Sequence, residues 1–164
     1  DIATSSMSLD LSGFPVRAGI QAVRAVRTRQ LEPAPATPVT DISNTLAVAI
    51  RPQVTGSVVN LTDTDTVDGV PVASGDIALT LSPAVGRRQA ANVLLNTPGA
   101  PGAHRLNAPP NNGAADGVEQ VTEIAFPFRR IPRGTYLMRL SVDGAESLLT
   151  TDGSGVYDGP EVTL

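Results

Sequence analysis

The chain contains no cysteine, no lysine and no tryptophan, and it has a single histidine. Without cysteine there is no disulfide framework, no thiolate zinc site and no cysteine nucleophile. Aromatic residues make up only 3% of the sequence, so Val, Leu, Ile and Ala must fill the interior within an apolar content of 41%. Branching at Cβ makes Val and Ile well suited to a pleated strand and less welcome in a helix. No apolar run approaches the ~20 residues that a membrane-spanning helix needs. All twelve cationic residues are arginine, and the net charge of −4 comes with no continuous basic patch. That balance argues against nucleic acid as a partner. Arginine in place of lysine, beside heavy Ala and Pro usage, reads as the coding bias of a GC-rich genome rather than as a device for bidentate anion binding.

Punctuation, by contrast, is plentiful: 15 glycines and 14 prolines are spread through 164 residues. A chain of this length can bury one proper core, and turn residues at this density favour many short elements over a few long helices. Residues 1–16 are polar at first and lack periodicity, which marks a linker or N-terminal arm ahead of a domain over 17–164, with Leu9, Leu11 and Phe14 pinning its end. In Gly19–Arg29, Ile20, Val23 and Arg27 fall at helical spacing, but the branched residues favour a strand. Residues 31–44 carry three closely spaced prolines and are expected to be a loop or edge connection.

Short strands are expected at Leu46–Ile50, Gly56–Thr62, Ile77–Leu81 and Ala91–Leu95, with the run DTDTVDG as an Asp-rich turn and Ser82-Pro83 closing the third. Residues 96–117 read as a long loop, with Arg105 and Leu106 in a brief strand inside it. Towards the C-terminus the pattern sharpens. Ile124, Phe126 and Phe128 share one face, and Pro127 between them calls for an edge or a bulge. Tyr136, Met138, Leu140 and Val142 alternate over a whole strand, and Asp143-Gly144 follows as a type I′ hairpin signal. The tally is an all-β chain of about eight or nine short strands, an immunoglobulin-like antiparallel β-sandwich. Gly134-Thr135-Tyr136 at a strand opening matches the tyrosine corner of such folds.

Residues with chemical potential are few, and most have a plainer reading. His104 lies among Pro, Gly and Asn with no nucleophile motif to serve, so a solvated loop histidine is expected. Gly153-Ser154-Gly155 lacks the spacing of a nucleophile elbow, and no phosphate-binding glycine loop occurs. Asp63, Asp65 and Asp68 before Gly69 could offer oxygen ligands to calcium, but their spacing misses the EF-hand rule and they suit a turn equally well. Asn60-Leu61-Thr62 matches a glycosylation sequon by chance composition. Arg24, Arg27 and Arg29, like Arg129-Arg130, read as a solvated face, with an acidic partner as the alternative. No catalytic residue, cofactor site or metal site is assigned.

The segment Phe126–Leu164 carries Pro132, Gly134, Tyr136, Leu137, Arg139, Val142, Asp143, Gly144, Ser147 and Leu149, then Gly159, Pro160, Val162 and Thr163. In that order these residues resemble the closing region of the cap or tube-terminator proteins of phage-tail-like extracellular contractile injection systems. Weaker echoes lie in GIQAVRAV, SNTLAVAIRP and VGRRQAANVLLN. The resemblance implies a non-catalytic accessory domain that follows a larger N-terminal capping domain, with tube, sheath or cap subunits as partners. It further implies oligomer symmetry set by that other domain, and a bacterial location in the cytoplasm during assembly or outside the cell in a released particle. The competing reading is an adhesin-like or carbohydrate-binding module using the 96–117 loop. Scarce aromatics count against it, since sugars are commonly stacked on Trp or Tyr.

Overall fold

A computed structural model describes residues 14–29, 38–99 and 102–164. The expected linker over 1–16 therefore lies mostly outside the described residues, Leu9 and Leu11 included, as do Pro33 and Pro35 of the proline-rich segment.

The first four strands do not join the core. β1 (Gly19–Val23) pairs antiparallel with β4 (Leu46–Ile50), and β2 (Val26–Arg29) pairs with β3 (Val39–Ile42). End to end they form one two-stranded ribbon, interrupted where Ala25 and Ser43 exchange hydrogen bonds of 2.9 Å through the serine's side chain and backbone. Strand propensity from the branched residues outweighs the helical spacing of Ile20, Val23 and Arg27, because Ala22 and Val23 find register partners in Ala47 and Leu46. Within the loop or edge connection expected over 31–44, Val39–Ile42 is a paired strand: proline tolerates the strand's start, and Thr40 and Asp41 have partners in Thr28 and Arg27.

The body begins at Pro52. β5 (Gln53–Val67), β6 (Val70–Gly86) and β9 (Gln120–Pro132) make a three-stranded sheet in the order β5-β6-β9. β7 (Ala91–Asn96), β8 (Ala103–Asn107), β10 (Thr135–Val142), β11 (Ala145–Glu146) and β14 (Glu161–Thr163) make the second sheet, in which β10 is flanked by β7 on one side and by β11 and β14 on the other. A small pair, β12 (Thr150–Thr151) with β13 (Tyr157–Gly159), closes the C-terminal end. Every pairing is antiparallel, and the described residues contain no α-helix.

One core joins the two sheets. Ile77, Leu79 and Val85 of β6, with Ile124 and Phe126 of β9, meet Val93 and Leu95 of β7 and Met138, Leu140 and Val142 of β10, all of them buried. Both alternating runs read from the sequence thus face inward, each side chain contributing roughly 2 kcal/mol by leaving water. Pro127 sits where the sequence requires, on β9 at the sheet's edge, opposite Asp76.

Three expectations change. The described residues hold fourteen strand segments rather than eight or nine, because the ribbon and the short closing pairs add pieces that bury little. β5 and β6 run far past their expected ends: the Asp-rich segment is mostly strand, and only Asp68 (φ 52°) and Gly69 (φ 81°) form the turn between Val67 and Val70. β6 also passes through Pro83, which lies in the register shift between Thr80 and Val85, where no β9 residue needs its missing N–H.

Candidate interaction surface

The side chain of Gln89, in the turn between β6 and β7, gathers four segments. Its Oε1 accepts from the Gly86 N–H at 2.6 Å, and its Nε2 donates to the Ala18 carbonyl at 2.7 Å and to Asp143 Oδ2 at 2.8 Å. Asp143 Oδ1 accepts from the Ala90 N–H at 2.9 Å. On the other side of the turn, buried Asn112 donates through Nδ2 to the carbonyls of Gly86 and Gln89, both at 2.9 Å. Asn111 and Asn112 both adopt left-handed backbone (φ 57° and 54°), which asparagine tolerates better than most residues and which brings the second amide to the turn. Ala18, fully buried, is thereby locked to the body immediately before the ribbon starts, with its N–H donating to the Ala84 carbonyl at 3.0 Å.

Beyond this anchor the ribbon stands in solvent. Seven of the sixteen exposed large hydrophobic side chains of the described residues lie on it, with Ile42 (63% exposed) and Leu46 (65%) the most open alongside Val26. A two-stranded ribbon on its own is marginally stable in water, and both of its outer edges carry backbone groups without ladder partners. Arg24 and Arg27 make no ion pair with a described residue, Arg24 donating instead to Thr45 Oγ1 at 2.7 Å. Arg29 pairs with Asp41 at 2.9 Å. The cations read as a solvated face are therefore on the face of a projecting arm.

At the far end of β6 the β5–β6 hairpin is acidic. Residues 53–86 hold Asp63, Asp65, Asp68 and Asp76 and no cation. Asp65 accepts from the Thr66 N–H at 2.7 Å and meets Arg130 at 3.4 Å, while Asp63 and Asp68 have no ion pair among the described residues. No group of three or more His, Asp or Glu among the described residues is arranged to hold a metal ion, and the extended strand through Asp63 and Asp65 accounts for this: it spreads the carboxylates that a turn would have gathered.

The remaining sequence candidates have structural settings. His104 is on β8, opposite Leu95, half-buried, with its ring edge-on to Tyr136 at 5.8 Å; it is not in a loop. Strand β8 extends the short Arg105-Leu106 run expected within 96–117. Asn60 of the sequon donates to Asp76 at 2.9 Å. Ser154 donates to Asp152 within a tight turn. Arg130 donates its N–H to Ser74 Oγ at 3.1 Å, at a kink where its φ is 51°. A shallow cleft of about 470 Å³ beside Arg51, Gln53, Leu148 and Pro160 has Arg51 as its one charged side chain.

Several residues of the C-terminal motif hold the second sheet and its turns together. Tyr136 is 3% exposed and its hydroxyl donates to the Pro132 carbonyl, four residues upstream, at 2.5 Å. Burial pushes its phenol above the ordinary value, and a hydrogen bond with Thr97 partly offsets that. Gly134 exchanges backbone hydrogen bonds with Leu164, Asp143-Gly144 turns β10 into β11, and Ser147 Oγ accepts from the Leu140 N–H at 2.9 Å. Arg139 pairs with Glu146 at 3.1 Å, and the Pro160 carbonyl accepts from the Met138 N–H at 2.8 Å. Sequence reasoning missed Gln89 and Asn112, whose partners lie far away along the chain.

These features define an all-β antiparallel module that carries an extended, apolar two-stranded arm. The chain belongs to the family described as "Domain of unknown function (DUF8756)", whose model matches residues 52–163. That span is the body from just before β5 to the end of β14, without the arm. No curated protein and no solved structure matches the chain.

Proposed function

We propose that this chain is a non-catalytic assembly module, an immunoglobulin-like sandwich that serves as an accessory domain of a cap or terminator protein in a phage-tail-like contractile injection particle. The arm carries the assembly part of this reading. A ribbon that exposes apolar side chains and open edges, yet is fixed at its root by Gln89 and Asp143, suits docking onto protein. The immunoglobulin-like part rests on the Tyr136 hydroxyl bonding back to Pro132, the geometry of a tyrosine corner. The injection-particle part rests on the resemblance of residues 126–164, whose members here close the second sheet.

The test is gentle purification of the tagged full-length gene product, followed by negative-stain electron microscopy. Sheathed tubes labelled at one end by an antibody to the tag support the cap-protein reading. Soluble protein without tubes, under conditions in which such particles survive, overturns it.

A further inference from the structure

We propose that the arm of one copy docks on the acidic edge strand β5 of a second copy, so that the chain self-associates head to tail. This goes beyond the cap-protein reading and does not depend on it. The first argument is charge. The arm presents Arg24, Arg27 and Arg29 against Asp41, and the connecting segment adds only Glu32 to the acidic side. The β5–β6 hairpin carries four aspartates and no cation of its own; Asp65 meets Arg130 of β9 at 3.4 Å, and Asp63 and Asp68 have no ion pair among the described residues. These are complementary potentials, which steer association and fix its register.

The second argument is pairing capacity. β5 is an edge strand, hydrogen-bonded on one side to β6 alone. Its 15 residues exceed the reach of either side of the arm, about 36–40 Å for eleven or twelve residues at ~3.3 Å each, so the arm fits along the edge as an added strand. The apolar content matches too. Val58, Leu61, Val67 and Val70, four more of the sixteen exposed large hydrophobics, lie on this hairpin. Arm and hairpin together hold eleven of the sixteen.

The third argument is placement. The arm is rooted at the Gly86 end of β6, where a Cβ on Gly19 would meet Gln89 and Asp143, and the hairpin turns at the Val70 end. Seventeen residues of extended strand separate them, so the hairpin tip of the same body lies beyond the arm's length, and the arm strands pair only with each other. A contact between different patches of identical chains is heterologous, and it closes into a ring or grows as a filament according to the rotation between copies.

Analytical ultracentrifugation of the full chain tests this. Wild type is expected to associate with rising concentration and to dissociate as salt screens the charges, the Debye length being about 10 Å at about 0.1 M. Arg24→Glu with Arg27→Glu makes the arm acidic, and Asp63→Arg with Asp65→Arg makes the edge basic. Each double variant alone is expected to weaken self-association at least about tenfold. Mixed, the two variants present complementary pairs again and are expected to reassociate. Ile42→Asp with Leu46→Asp, at exposed positions outside the core, is expected to weaken association with the body's melting transition unchanged. A wild-type chain that stays monomeric at high concentration and low salt overturns the proposal. So does association that survives all of these variants, or folded charge-reversed partners that fail to reassociate when mixed.

Discussion

Gln89 and Asp143 lie 54 residues apart in sequence and meet at 2.8 Å, carboxamide to carboxylate. Asp143 is also the first residue of the β10–β11 turn, held at φ 46°, so the carboxylate that fixes the arm's root is presented by a hairpin. Gln89→Ala removes one acceptor and the two donated bonds of this side chain and leaves the Ala18 carbonyl with only the longer 3.5 Å bond from Gln21. The expected cost is about 1–3 kcal/mol in chemical denaturation. Faster amide exchange should appear in β1 before it appears in the core strands.

Gly144 has φ +84°, and no atom lies within 4 Å of where its Cβ would be. An added Cβ therefore meets no distant part of the fold, and the main effect of Gly144→Val comes from a branched residue resisting left-handed backbone. A loss of about 1–3 kcal/mol is expected, seen as a lower melting temperature, whereas Gly144→Asn should stay close to wild type.

Gly75 is constrained differently. A Cβ there would collide with the Asn60 carbonyl of β5, backbone that cannot step aside without breaking the β5–β6 ladder. Gly75→Ala is expected to destabilise the body by at least about 1 kcal/mol, and amide exchange should rise along β5 more than along β10.

Tyr136→Phe deletes the hydrogen bond to Pro132 and is expected to cost about 1 kcal/mol at neutral pH. Burial raises the Tyr136 phenol in the folded chain, so the fold favours the protonated form. Its contribution is complete below the unfolded value of about 10 and is lost as pH rises through the higher folded value. Denaturation from pH 8 to 12 should show that alkaline loss in wild type and less of it in the variant.

Asp152 behaves in the opposite sense. Hydrogen bonds from the Ser154 hydroxyl, then from the Val156 and Ser154 amides, hold its carboxyl below the ordinary carboxylate value. The ordering of the 152–156 turn is present above the unfolded value and is lost as pH falls through the folded one. Acid titration by NMR should move the Ser154 and Val156 amide resonances with a depressed midpoint, and Asp152→Asn should remove that transition.

Local patterns carried much of the fold. Phe126 and Phe128, the run from Tyr136 to Val142 and the Asp143-Gly144 turn could be read because period-two alternation and positive-φ chemistry act between near neighbours. The same Asp-Gly signal at 68–69 was hidden by the aspartates before it, whose turn propensity yields to a long ladder with β6. His104 looked like loop because Pro and Gly surround it, yet its pairing with Leu95 is set by β7, not by those neighbours. Gln89 and Asn112 could not be found at all. A carboxamide in a turn has no periodicity, and its role is fixed by which distant carbonyls the completed fold brings within 3 Å. The arm was legible as strand at Gly19–Arg29 and Leu46–Ile50 but not at Val39–Ile42, and nowhere as projection, since branched residues read alike whether they face a core or water.

The length of β6 has a mechanical consequence. It spans the body from the arm's root at Gly86 to the hairpin tip at Val70, with β5 on one side and β9 on the other. A pull applied between arm and tip runs along the strand direction and is carried by the covalent backbone of β5, which joins the arm at Gln53 to the tip at Val67. The ladder to β6 keeps that strand extended and is not what has to give. A chain linked through these two ends would behave as a stiff tie under tension, while a force across the sheet would meet only the bonds at its margin.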